Sequence, residues 1–146
     1  MASDLSPDIE WVAYTLEKLE AAGRRYDCFS LLRPTSPFRR PETIRRAWER
    51  FLTAGPADSL RAVELCRQHP GKMWLVDGQR MRPLLEGEVT GAPWHSRPYQ
   101  DLPIVYIQNA SLEIAWCRTV RESGTIAGHT VLPFVSEGYD GLDVND

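Results

Sequence analysis

The densest group of chemically useful side chains is Leu31-Leu32-Arg33-Pro34-Thr35-Ser36-Pro37-Phe38-Arg39. Arg33, Thr35, Ser36 and Arg39 bring two guanidiniums and two hydroxyls to a turn stiffened by two prolines, directly after an apolar run. Guanidiniums hold carboxylate or phosphate oxygens in pairs, and hydroxyls with turn amides donate to anionic or polyhydroxyl ligands. In open α/β sheets ligands bind past the C-terminal ends of strands, which is where such a turn lies. The same residues also suit a rigid turn in which Thr35 or Ser36 caps a helix opening at Pro41.

Charge is unevenly spread. From Arg24 to Arg50 eight arginines face Asp27, Glu42 and Glu49, whereas Glu137, Asp140, Asp143 and Asp146 close the chain with no basic residue among them. A basic centre and an acidic tail fit two descriptions: groups that meet around a phosphorylated, metal-bound ligand, or two solvated faces. The formal net charge of −3 gives no reason to expect nucleic acid or an anionic membrane as a partner. Cys28, Cys66 and Cys117 lack CxxC pairing, and His69, His95 and His129 lack the close helical spacing of a zinc hydrolase. Cys28 and Cys117 lie in apolar runs and read as packing residues.

The elements that must position these groups follow from periodicity. Ser6-Pro7 opens a helix carrying Ile9, Val12, Ala13, Leu16 and Leu19, which Gly23 stops. Cys28–Leu32 has the length of a buried strand. A second helix opens at Pro41, carries Ile44, Ala47, Trp48, Phe51 and Leu52 on one face, and closes at Gly55. Ser59–Val63 is a further strand, so helix and strand alternate as in crossover units with a mainly parallel sheet. Lys72–Val76 and Arg80–Leu84 flank Asp77-Gly78 as a hairpin, and Glu86–Pro103 is a loop or arm. Strands at 104–107, resuming near Leu112, and at 130–134 enclose a helix at 116–122, with Pro133 marking an edge.

With 146 residues the chain suits one domain, no apolar stretch approaches the ~20 residues of a membrane span, and the first residues lack a secretory signal. These features predict a cytoplasmic protein. No GxGxxG or GxxxxGK[ST] pattern occurs. The chain opens on a helix and closes soon after Leu142, like the middle and end of a larger α/β domain.

The Arg33 turn resembles the LL[QR]PTSPLR segment of the acylneuraminate cytidylyltransferases, the CMP-nonulosonate synthetases. The likeness continues in register through Asp58–Val63, His69–Trp74, Pro83–Glu86, Gln100–Pro103, Val105–Asn109 and Gly138–Asn145. It implies a partial Rossmann-like nucleotidyltransferase domain over residues 1–146, with a hairpin arm at about 70–103 that mediates homodimerisation. The implied activity is transfer of CMP from CTP to a nonulosonic acid, with Mg²⁺ and release of pyrophosphate. By the resemblance Arg33, Thr35, Ser36, Lys72, Gln100 and Asn109 belong to substrate binding, and Asp143 with Asn145 to the metal. Tyr99 stands where many members carry Arg, and Arg97 is positioned to substitute for it. The family's N-terminal strand and glycine-rich phosphate loop have no counterpart in these residues. A non-catalytic chain that binds a sugar acid or serves as a dimer partner is the alternative.

Overall fold

The computed structural model describes residues 7–86, 88, 89 and 91–144. In chain order the elements are α1 (Asp8–Ala21), β1 (Cys28–Leu31), α2 (Pro41–Thr53), β2 (Ser59–Leu65), β3 (Trp74–Asp77) and β4 (Arg80–Pro83). Then follow β5 (Glu88–Val89), β6 (Ala92–Pro93), β7 (Tyr106–Trp116), α3 (Cys117–Ser123) and β8 (Val131–Val135). They divide into two compact units, one formed by the chain up to Val63 and from Gln108 onward, the other by Glu64–Ile107. No helix among the described residues is long and apolar enough to cross a membrane.

The first unit is built on a sheet of order β1-β7-β2-β8. Strand β1 pairs antiparallel with β7, Cys28 opposite Trp116 and Leu31 opposite Glu113. Trp116 N donates to Asp58 O, and Arg61 meets Glu113, so β7 also runs against β2. Strand β2 pairs parallel with β8, Ser59 opposite Val131. Three strands therefore share a direction, yet the mainly parallel sheet expected from helix–strand alternation is a mixed one. The reason is β7, a continuous strand of 11 residues inserted in reverse between β1 and β2, where two short runs were expected. Pro133 does lie on an edge strand, its carbonyl accepting from Arg50 Nε.

Side-chain alternation sorts the two faces of this sheet. Leu112, Ile114 and Trp116 of β7, Leu60 and Ala62 of β2, and Phe134 of β8 turn to α2, where they pack on Ala47, Phe51, Ile44 and Trp48. Leu52, expected on that face, is exposed. Phe29, Leu31 and Ala115 turn the other way, to Val12, Ile9, Ala13 and Leu16 of α1 and Val120 of α3. Cys117 is buried and Cys28 partly so, and burial pushes both thiols above their ordinary pKa, which suits packing rather than reactivity. Gly124 ends α3 in the left-handed conformation at φ +66°.

The second unit holds two small hairpins. In β3–β4 Asp77 pairs with Arg80, so the two loop residues are Gly78-Gln79 rather than the expected Asp77-Gly78. Gly78, at φ +58°, supplies the backbone conformation that hairpin loops of this length require. Lys72, expected to open β3, instead ends a short 3₁₀ turn from Pro70.

Candidate functional site

The turn after β1 is fastened from several directions within the first unit. Ser36 N donates to Arg33 O at 3.3 Å, closing the turn. Arg39 reaches back to the same carbonyl and also donates through Nη1 to Ser111 O in β7. Burial lowers the Arg39 pKa from its ordinary value, which leaves a guanidinium charged at any ordinary pH. Ser111 Oγ donates to Asn109 Oδ1 at 2.7 Å, and Asn109 Nδ2 donates to Ser136 Oγ at 3.0 Å. Asn109 is thereby linked through Ser111 and Arg39 to the Arg33 turn. Neither Thr35 nor Ser36 caps α2, whose N-cap position is Arg40. Ser36 is 3% exposed, and its Oγ has no hydrogen-bond partner among the described residues.

The acidic tail returns to this turn. Val144 N donates to Thr35 O at 2.8 Å, so the exposed Asp143 is next in sequence to a residue bonded to the turn. Upstream, Asp140 is buried and accepts from Thr43 Oγ1 at 2.7 Å, with Arg40 Nε 3.5 Å from its other oxygen. Arg46 pairs with Glu137 at 2.8 Å. Basic centre and acidic tail therefore meet in direct ion pairs around the first turns of α2.

A second set of charges lies on the α1 side of the sheet. Arg33 Nη2 donates to Asp8 Oδ2. Trp11 Nε1 donates to Asp8 Oδ1 at 3.1 Å. Burial pushes the Asp8 pKa up, but the bonds from Trp11 and Arg33 and the charges of Arg33 and Arg61 outweigh it and hold the carboxyl below its ordinary value. Arg61 Nη2 lies 3.1 Å from Glu113 Oε2, a charge contact without hydrogen-bond alignment; the Glu113 side chain is only 5% exposed.

The second unit carries the remaining expected residues. Lys72 Nζ donates to the carbonyls of His95, at 2.9 Å, and Arg97, and it stands 5.6 Å from the centre of the Tyr99 ring. Arg97 is half-buried and Gln100 exposed. His69, buried, accepts at Nδ1 from Gly71 N at 2.9 Å, which leaves Nε2 to donate to Pro103 O at 3.0 Å. A Cβ on Gly71 would lie 2.9 Å from the His69 ring, so glycine is required at that close approach.

The first unit thus brings together Arg33, Thr35, Ser36, Asn109 and the tail bearing Asp143, while Lys72, Arg97 and Gln100 belong to the second. Asn145 lies outside the described residues. Asp8, Ser111 and Ser136 were not singled out by sequence; only Arg39, inside the Arg33 turn, carried a signal. Among the described residues no three His, Cys, Asp or Glu side chains gather as a metal-binding group. A single hard carboxylate such as Asp143 still suits Mg²⁺, which is commonly held by one or two carboxylates and substrate phosphates.

No protein-family model matches the sequence. The chain is 30% identical over 150 residues to a CMP-N,N'-diacetyllegionaminic acid synthase of Legionella pneumophila. It resembles a CMP-nonulosonate synthase. The match takes in 96% of this chain and 59% of the relative, so the chain spans less than two thirds of that protein's length.

Proposed function

We propose that this chain carries the sugar-acid and metal-holding share of a cytidylyltransferase that moves CMP from CTP to a nonulosonic acid. The observation that carries the reading is the Val144 N–Thr35 O bond, which joins the tail holding Asp143 to the turn holding Arg33. In such a transfer an anomeric hydroxyl attacks the α-phosphate and charge grows on the departing pyrophosphate. Positioning and charge compensation then dominate over covalent chemistry by side chains. Arg33 would take the sugar carboxylate, with Thr35, Ser36 and Asn109 supplying polar contacts, and Asp143 with Asn145 would hold Mg²⁺. When bound, Mg²⁺ would offset phosphate charge. The phosphate-gripping groups are assigned to residues outside these 146, because no glycine-rich phosphate pattern occurs within them. A cytoplasmic location accompanies this reading, as does homodimerisation through β3–β4.

A second reading, a non-catalytic sugar-acid binder or dimer partner, draws on how the cations are engaged: Arg33 by Asp8, and Lys72 by two carbonyls. One pair of measurements tests both. The 146-residue chain is titrated with N-acetylneuraminate, then assayed for pyrophosphate from CTP, Mg²⁺ and the same sugar. The proposal expects saturable sugar binding with pyrophosphate release below detection. Ready turnover would place the phosphate-holding groups inside this chain. Absence of sugar binding would overturn the proposal and leave the chain as a dimer partner.

A further inference from the structure

We infer that Asp8 sets how tightly Arg33 takes a ligand carboxylate: its own carboxylate occupies the guanidinium until a ligand displaces it. The inference rests on the reading of Arg33 as the group that grips an acidic sugar.

Asp8 opens α1 and Arg33 follows β1, so the pair ties helix to turn across 25 residues of sequence. Both side chains are about one-third exposed, at 35% and 36%, so a dissolved carboxylate can reach the pair. A guanidinium offers a fork of donors that a carboxylate fills with two parallel bonds. Asp8 uses only Nη2, which leaves the fork incompletely matched.

Charge balance decides the direction of the effect. Asp8, Arg33, Arg61 and Glu113 form two ion pairs and sum to zero. A neutral set offers an incoming anion little net attraction, so the ligand must compete with Asp8 for Arg33. Displacement does not strand Asp8. Trp11 Nε1 still donates to it, and the charge of Arg61 still acts on it. The exchange therefore replaces one carboxylate by another at Arg33 without burying an orphaned charge.

The experiment is calorimetric titration of N-acetylneuraminate into the wild type, Asp8→Asn, Asp8→Ala and Arg33→Ala. Asparagine keeps an acceptor for Trp11, and alanine removes any residual bond to Arg33. Both Asp8 variants are expected to bind about twofold to fivefold more tightly, the range an exposed ion pair accounts for. Arg33→Ala is expected to lose binding. Unchanged or weaker binding in both Asp8 variants, with Arg33→Ala still impaired, would overturn this inference and leave the reading of Arg33 standing. Wild-type affinity in Arg33→Ala, or no binding by any of the four proteins, would overturn that reading and this inference with it.

Discussion

Thr43 Oγ1 donates to Asp140 Oδ2 at 2.7 Å, joining the first turn of α2 to a residue 97 positions later. Both groups are buried, and the bond anchors the acidic segment that continues to the Thr35 turn. The sugar-acid and metal-holding groups of the proposed site depend on this anchor for their common address.

Asp140→Ala is expected to lower the unfolding free energy by about 1–3 kcal/mol, because it leaves the buried Thr43 hydroxyl without its acceptor. Asp140→Asn keeps an acceptor and should cost less. Urea denaturation of the three proteins measures the series. Equal stability of the alanine variant and wild type would mean the tail is not anchored there.

Acid should weaken the β2–β8 side of the sheet through Asp58. Bonds from Thr130 N at 2.9 Å and His129 N at 2.8 Å hold its pKa below the ordinary value. A depressed folded pKa contributes stability above the unfolded value of about 4, lost as pH falls through the folded value. Wild type should therefore exceed Asp58→Asn in stability at pH 7, with the margin shrinking below pH 4. A margin independent of pH would show that the carboxylate charge is not what these amides recognise.

The β3–β4 hairpin presents Val76, 74% exposed, opposite Met81, 61% exposed. Two-stranded hairpins are marginal in water, and apolar patches of this kind mark contact surfaces. Wild type is expected to sediment as a dimer, and Val76→Asp/Met81→Asp as a folded monomer. A wild-type monomer at high concentration would remove the hairpin from the account.

Local pattern carried much of the fold. The apolar spacing of Ile44, Ala47, Trp48 and Phe51 marked the buried face of α2, and Gly55 marked where it closes. Strand direction was not legible, since a two-residue period is the same in either sense; hence the reversed β7 went unseen. At the site, the residue types of the Arg33 turn were legible as chemistry. Their fastenings were not: Ser111 lies 72 residues from Arg39, and Asp8 lies 25 from Arg33. The charge asymmetry was plain in the sequence, but periodicity says nothing of which opposite charges will pair. Arg40 with Asp140 and Arg46 with Glu137 are products of the tail's path.

Whether Arg33 holds a sugar carboxylate is tested by calorimetric titration of N-acetylneuraminate and of its methyl ester into this chain. The ester keeps the shape of the sugar and removes the charge that Arg33 would hold. The acid is expected to bind saturably and the ester at least about tenfold more weakly, as the loss of a charge-assisted bidentate contact implies. Equal affinities for acid and ester, or no binding of either, would contradict that role of Arg33.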